Sequence, residues 1–184
     1  IAVDYFRETL ALNSEHKTAL AAISNVAKNY FNTGNQSYKR GDLEGALSSY
    51  RKVLDIDGTF YQSYYQIGVI LSKMGDKDAA VASYEKALGI NPQFYKGYFA
   101  LGLAKKSMGD TDEAISALES AVDIYPGYDK AYGAMGDIYI DAKNFKKGKQ
   151  VLNMAITVNP NYAKGYASLG ILSTEEKNWE KAIA

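Results

Sequence analysis

Apolar residues recur along this chain with the spacing of an amphipathic helix. In residues 61–94, Tyr64, Ile67 and Leu71 are three and four positions apart, so they share one helix face. A second apolar stripe of the same kind begins at Ala80. The pattern predicts two consecutive helices.

Two breaks delimit these helices. Gly75-Asp76 lies between the stripes, and glycine accepts the left-handed conformation that ends many helices. Asn91-Pro92 follows the second stripe, where proline lacks the backbone donor and disfavours helix in the preceding residue. The predicted unit is therefore a helical hairpin.

The hairpin returns every 34 residues. The period is marked by a tyrosine column at Tyr30, Tyr64, Tyr98, Tyr132 and Tyr166, and by a glycine column at Gly34, Gly68, Gly102, Gly136 and Gly170. A fixed period of this length is typical of a solenoid in which each unit contacts its neighbours. The predicted repeats are 27–60, 61–94, 95–128, 129–162 and a partial repeat at 163–184.

The glycine column has a steric explanation. Glycine inside a helix costs about 0.5–1 kcal/mol relative to alanine, so its return in every unit indicates that a side chain has no room there. Gly102 and Ala114 are expected to lie buried where two helix axes cross closely.

These columns resemble the tetratricopeptide repeats. In the clearest unit the family pattern is carried by Tyr98, Leu101-Gly102, Ala114, Leu118, Ala121 and Pro126. The departures are tyrosine for tryptophan throughout, Thr33 in place of leucine, and Gly148 in place of alanine.

The resemblance covers residues 27–184 and implies an all-α, right-handed superhelical solenoid of antiparallel helix pairs. The expected helices lie near 43–56, 60–74, 77–90, 94–108, 111–124, 128–142, 145–158 and 162–176.

The two ends are less regular. Residues 1–26 are interpreted as a partial N-terminal repeat and the start of a lengthened helix near 16–40; Ala2, Phe6 and Leu12 resemble the second helix of an earlier unit. At the other end, a turn is expected at Lys177-Asn178, with a second helix opening at Trp179. Because no polar cap follows, the chain is interpreted as an excerpt from a longer protein. Three apolar side chains are expected to be partly exposed at this end: Leu169, Leu172 and Trp179.

Composition excludes several classes of partner. Lysine plus arginine and aspartate plus glutamate both total 21, which argues against a general nucleic-acid binder. No segment approaches the roughly 20 apolar residues of a membrane helix, so no membrane insertion is expected. The chain has no cysteine, which excludes disulfides and is compatible with any compartment.

The sequence offers little for catalysis. His16 is the only histidine, and no cysteine accompanies it to form a metal site. Carboxylates such as Asp76 and Asp110 fall in turns, where helix capping explains them. The chain is therefore not expected to be an enzyme, and no metal or cofactor is expected.

In the proteins that this chain resembles, ligands lie in a concave groove lined by the other face of each first helix. The residues expected to line the groove are Lys28, Phe31, Asn35, Tyr38, Tyr65, Gln66, Val69, Lys96, Phe99, Leu103, Lys130, Asp137 and Lys164. Aromatic residues provide rigid contact area and lysines attract carboxylates, so a peptide or partner helix is the expected ligand.

Phe31, Tyr65 and Phe99 are expected to form a ladder outside the packing stripe. On that interpretation, replacing Tyr65 and Phe99 by alanine abolishes binding without unfolding the protein. In the competing interpretation, the lysines are only solvated and the aromatics pack on one another between adjacent helices.

The chaperone-binding members of the family can be compared residue by residue. Their carboxylate clamp consists of Lys, Asn, Asn, Lys and Arg, and the corresponding residues here are Phe31, Asn35, Gln66, Lys96 and Ala100. Only the asparagine and one lysine match, which argues against a co-chaperone of that type.

Three functions remain open from the sequence. The first is a non-enzymatic protein–protein interaction module that binds a protein or peptide in its groove. The second is a structural scaffold that assembles with copies of itself as a homo-oligomer. The third is the recruiting region of a larger enzyme whose catalytic domain lies outside these residues.

Overall fold

The computed structural model describes residues 8, 9, 11 and 16–183, with side chains as far as residue 178. In this part of the chain all regular structure is helical. The partial repeat expected around Ala2, Phe6 and Leu12 falls outside the described residues.

From Lys17 onward the described residues form nine helices. They are α1 (Lys17–Lys39), α2 (Leu43–Ile56), α3 (Tyr61–Met74), α4 (Lys77–Ile90), α5 (Tyr95–Met108), α6 (Thr111–Ile124), α7 (Asp129–Asp141), α8 (Phe145–Val158) and α9 (Ala163–Ile183). The bounds of α2 to α8 agree within one residue with those expected from the sequence. The all-α repeat of helix pairs is confirmed.

The helices form two compact units, one ending at Pro92 and the other beginning at Gln93. In the first unit, α1 packs on α2 and α3 packs on α4, while α2 contacts α3. In the second unit, α5 packs on α6 and α7 on α8, and α9 packs against both α8 and α7. Each pair consists of consecutive helices joined by a short turn, as expected for helical hairpins.

The turns use the left-handed conformation where glycine is available. Gly75 ends α3 with φ of +88° and Gly109 ends α5 with φ of +92°, as the sequence predicted. Lys143 adopts φ of +57° after α7. The turn expected at Lys177-Asn178 is wrong, because α9 continues through these residues to Ile183. The same residue pair, Lys143-Asn144, does form the turn after α7, so residue type alone does not decide where the helix ends.

Aspartates cap several helices, and one cap provides a test. Asp76 accepts a hydrogen bond from the backbone N of Ala79 at 3.1 Å, whereas Asp110 makes no side-chain bond to its own helix N-terminus. Asp76→Ala is expected to lower the free energy of unfolding by about 1 kcal/mol, because a helix N–H loses its partner. Asp110→Ala is the matched control, and urea denaturation of both variants is the measurement. Equal losses would show that the Asp76 bond does not stabilise α4.

The glycine column lies at the crossings within the helix pairs. An added Cβ would lie 2.6 Å from the Tyr50 ring at Gly34 and 2.7 Å from Leu118 Cγ at Gly102. The steric explanation is confirmed for the glycines that face a second helix, namely Gly34, Gly68, Gly102 and Gly136. It is wrong for Gly170, because the described residues place nothing within 4 Å of a Cβ at that position.

The last helix is better packed than expected. Leu172 is only 1% exposed and packs with Phe145 and Leu152, so its expected exposure is wrong. The reason is that α9 lies against α8, whose apolar side chains cover this position. Leu169 is half-buried, as expected. The side chain of Trp179 is outside the described part of the chain.

Candidate functional site

The inner face is defined here by the first-helix positions that the sequence analysis assigned to a groove. In the first unit these residues are Lys28, Phe31, Asn35 and Tyr38 on α1, and Tyr65, Gln66 and Val69 on α3. All are half-buried except Lys28, which is exposed. In the second unit they are Lys96, Phe99 and Leu103 on α5, Lys130 and Asp137 on α7, and Lys164 on α9.

The aromatic residues of the inner face are packed against other rings. The Phe31 ring lies 5.4 Å from Tyr50 and 5.1 Å from Phe60, measured between centroids. Tyr65 lies 5.9 Å from Tyr84 in the same way. Both rings are therefore held by aromatic residues that lie outside the inner face.

Phe99 repeats this contact in the second unit. Its ring meets Tyr128 edge-on at 5.1 Å, and it borders the buried core of that unit. The expectation that Tyr65 and Phe99 could be replaced without touching the packing is therefore wrong. A ring at either position supports a neighbouring ring, so an alanine variant would lose packing as well as contact area.

Tyr50 shows how a second helix contributes to the inner face. Its ring crosses α1 at Gly34, where no side chain obstructs it. Its hydroxyl then donates a hydrogen bond of 2.7 Å to Oδ1 of Asn35, an inner-face residue. Burial, with a smaller contribution from Tyr38, raises the pKa of Tyr50 to about 12. The phenol is thus a neutral donor at physiological pH.

Tyr84 occupies the equivalent position in the next helix pair, but its hydroxyl lacks an acceptor. The ring crosses α3 at Gly68, and the residue is 3% exposed. Val69 stands 34 positions after Asn35 and cannot accept a hydrogen bond. In the described residues the Tyr84 hydroxyl has no hydrogen-bond partner.

The Tyr84 hydroxyl is nevertheless within reach of solvent. Among the described residues, Ser63 Oγ is the only fully buried side-chain oxygen or nitrogen without a partner, so the Tyr84 oxygen retains some accessible surface. Burial raises the pKa of Tyr84 well above its ordinary value, and the phenols of Tyr65 and Tyr38 raise it further. The rings of Tyr65 and Tyr84 lie 5.9 Å apart between centroids, and with Tyr38 they are called the tyrosine cluster here.

One cation lies beside this tyrosine cluster. Lys73 Nζ is 4.5 Å from the ring centroid of Tyr38, which is the geometry of a cation–π contact. Burial raises the pKa of Tyr65 as well, followed by the effect of Tyr38. The inner face of the first unit therefore presents phenols and amides, with Lys73 stacked on a ring and Lys28 exposed.

The second unit has a cleft on its inner face. Its volume is about 390 Å³, and it is lined by Lys106, Asp137, Ile140, Asp141, Lys164, Ala167, Ser168 and Ile171. Ala167 stands at the repeat position that Phe31 occupies in the first unit. The apolar part of the lining is exposed at Ile171, which is 55% accessible.

Ion pairs cross this cleft between neighbouring first helices. Lys106 Nζ lies 3.1 Å from Asp141, and Lys164 Nζ lies 2.8 Å from Asp137. Ser168 also donates a hydrogen bond of 2.8 Å to Asp137. The hydrogen bond to Asp137 raises the pKa of Lys164, although burial opposes it. The Lys164 ammonium is thus already engaged, whereas the Lys96 and Lys130 side chains are exposed.

Sequence reasoning did not single out Asp141 and Ser168. Each is four residues after a predicted site residue, Asp137 and Lys164 respectively, and so lies on the same helix face. That spacing was the available signal. The unpaired hydroxyl of Tyr84 follows from comparing Asn35 with Val69 only after the structure has shown the Tyr50–Asn35 hydrogen bond.

The described residues contain no group of three or more histidine, cysteine, aspartate or glutamate side chains that could hold a metal ion. None of the helices in the described part of the chain is both long and apolar enough to cross a membrane.

Comparison with known families gives one consistent result. A family model described as tetratricopeptide repeat matches residues 61–94, which is the repeat predicted from the sequence. A second tetratricopeptide repeat model matches residues 107–172, and a TPR repeat model matches residues 34–75. None of the curated proteins matches the chain in sequence.

Solved structures with a similar fold come from several bacteria. Pseudomonas aeruginosa pilF has a TM-score of 0.77 and 19% identity, over 86% of this chain and 72% of its own. MamA from Desulfovibrio magneticus RS-1 has a TM-score of 0.74 and 24% identity, over 85% and 89%. A tetratricopeptide repeat protein from Parabacteroides merdae has a TM-score of 0.75 and 18% identity, over 85% and 62%. At these identities the likeness concerns the fold alone.

Proposed function

Because the chain belongs to the tetratricopeptide repeat family, we propose that it is a non-enzymatic protein-interaction module. Its ligand is an extended or helical segment of a partner protein, bound on the inner faces of the first helices. Repeat proteins of this kind use a long surface built from successive units, so many weak contacts add up along the segment.

The observation that carries this proposal is the cleft in the second unit. A volume of about 390 Å³ is large enough to admit a side chain of a partner, and Ala167 leaves it unobstructed. The lining combines apolar surface at Ile140 and Ile171 with the charged groups of Asp137 and Lys106. Such a mixture of apolar area and a few polar groups is typical of binding pockets.

Exposed lysines add a second element to the proposal. Lys96 and Lys130 are exposed on α5 and α7, the helices that also contribute to the cleft. Their ammonium groups attract carboxylates of the partner segment, and Leu103, which is 41% exposed, supplies apolar contact on α5. The preferred segment accordingly carries an apolar side chain with acidic residues beside it.

Filling the cleft tests the proposal. Ala167→Phe restores at this position the aromatic that Phe31 provides in the first unit, and it occupies the space that a partner side chain would enter. The affinity for a protein captured by pull-down, measured by isothermal titration calorimetry, is expected to fall at least roughly tenfold, as a loss of about 1.4 kcal/mol implies. Ala167 is exposed, so the fold is expected to tolerate the change.

Ala163→Phe is the matched control, since Ala163 is an exposed residue at the start of the same helix and does not line the cleft. It should leave the affinity unchanged. Unaltered binding by Ala167→Phe would contradict the proposal. A chain that captures no partner and forms oligomers in light scattering would instead favour the self-assembling scaffold.

A further inference from the structure

We propose that the inner face of the first unit contains a subsite for a proline-rich segment in the polyproline II conformation, centred on the hydroxyl of Tyr84. This inference rests on the proposed function, because it assigns a ligand class to one part of the same inner face. The Tyr65 ring lies 5.9 Å from that of Tyr84, measured between centroids. We assign to the same subsite three other inner-face residues that are half-buried: Asn35, Tyr38 and Gln66.

The first step is the difference between two equivalent tyrosines. Tyr50 passes over Gly34 and finds an acceptor in Asn35, at 2.7 Å. Tyr84 passes over Gly68 in the same manner, but Val69 stands where the acceptor should be. The hydroxyl is unpaired within the protein but still reaches solvent, so a ligand oxygen can accept its hydrogen bond in place of water.

The second step is the balance of donors and acceptors. The Tyr50 hydroxyl donates its hydrogen bond to Oδ1 of Asn35, so the amide N–H groups of the Asn35 side chain remain as donors. In the described residues neither this nitrogen nor the Tyr38 hydroxyl has a hydrogen-bond partner. Burial disfavours the charged form of three phenols on this face, those of Tyr50, Tyr65 and Tyr84, and so raises their pKa values. The subsite thus offers neutral donors and needs acceptors.

The third step matches this demand to a ligand. A polyproline II segment makes no internal hydrogen bonds, so every backbone carbonyl is a free acceptor, with about 3.1 Å of rise per residue. Proline brings no N–H group and therefore needs no acceptor from the protein. Its ring packs on aromatic side chains, as in the known grooves for proline-rich peptides. The rings of Phe31 and Tyr38 are half-buried and keep part of their surface exposed.

Other segments fit this surface less well. Most carbonyls of a helix are already hydrogen-bonded within the helix. An extended segment of residues other than proline carries N–H groups, which need acceptors from the protein. A basic segment would meet the ammonium of Lys73 on the Tyr38 ring. The repeat positions equivalent to Tyr84 in the second unit hold Leu118 and Leu152, so the hydroxyl-bearing subsite is specific to the first unit.

The test uses the whole chain and a fluorescent decaproline peptide, with a glycine–serine peptide of equal length as the control ligand. Fluorescence anisotropy is expected to show saturable binding of decaproline and weaker binding of the control. Tyr84→Phe removes one oxygen and leaves the ring over Gly68. It is expected to weaken decaproline binding roughly 2- to 10-fold, the range for one neutral hydrogen bond.

Val69→Asn provides an independent arm. It places an acceptor where Asn35 stands in the preceding repeat, so the Tyr84 hydroxyl becomes paired within the protein. The affinity for decaproline is expected to fall by a similar factor. The double variant Val69→Asn/Tyr84→Phe should bind decaproline about as weakly as either single variant, because both changes remove the same hydrogen bond to the ligand. Tyr132→Phe, at a tyrosine of the second unit that is 6% exposed, should leave the affinity unchanged.

The outcomes separate this inference from the proposed function. If decaproline does not bind, or binds equally well to Tyr84→Phe, the subsite is rejected. A chain that still captures a protein partner in a manner sensitive to Ala167→Phe would then keep its proposed function. A thermal midpoint for Tyr84→Phe equal to that of the unaltered chain, together with weakened binding, would support a ligand contact rather than a loss of folding.

Discussion

Replacing Leu118 by alanine is expected to lower the free energy of unfolding by about 2–5 kcal/mol. Leu118 is fully buried in the core of the second unit, where it lies against Gly102 on the facing helix. Removing three carbons leaves a cavity, and glycine has no side chain with which to fill it. Guanidinium denaturation followed by circular dichroism measures the change.

Leu103→Ala is the matched control, because Leu103 is also a leucine of this helix pair but is 41% exposed. Leu103→Ala should lower the free energy of unfolding by much less than Leu118→Ala, because it removes little apolar area from the core. Similar losses for the two variants would mean that the contact between Leu118 and Gly102 does not carry the stability of this pair.

Gly102→Leu is expected to destabilise the protein by about 1–3 kcal/mol through overpacking. The new Cβ would lie 2.7 Å from Leu118 Cγ and 3.0 Å from the backbone oxygen of Ala114. A side chain can move aside, but the backbone of α6 can yield only by shifting the helix. The same denaturation experiment applies.

Gly89→Leu is the control for this substitution. Gly89 lies in α4, and apart from its chain neighbours and the backbone of its own helix no described atom lies within 4 Å of the position that a Cβ would take there. The change should stabilise the protein by about 0.5–1 kcal/mol, because a helical glycine is replaced by a better helix former. A loss at Gly89 as large as that at Gly102 would remove the steric explanation.

The double variant Gly102→Leu/Leu118→Ala tests whether the two residues share one space. The leucine side chain at position 102 would enter the cavity left at 118, so the combined loss should be smaller than the sum of the single losses. Strict additivity would show that the two sites act independently.

The candidate site was only partly predictable. The 34-residue columns placed Phe31, Tyr65 and Phe99 at equivalent positions of successive first helices. They did not reveal that the Tyr65 ring packs on Tyr84, or that the Phe99 ring packs on Tyr128. These contacts depend on how far the side chain of another element extends toward the first helix. Helix periodicity describes a face but not the distance to the next element.

The sequence by itself determined the bounds of α2 to α8, the repeat period and the need for glycine where two helices of a pair cross. These features depend on local backbone preferences and on the spacing of apolar residues, both of which are encoded within a few turns of helix. The regular return of Gly68 and Gly102 was sufficient to predict a close helix approach.

Only the tertiary structure decided which polar groups are paired. Tyr50 bonds to Asn35, Lys164 is held by Asp137, and the hydroxyl of Tyr84 is left without an acceptor beside Val69. Such pairs form between residues on different helices and depend on distances of a few tenths of an ångström, because a hydrogen bond weakens steeply outside a narrow geometry. Residue spacing along the chain carries no information at that scale.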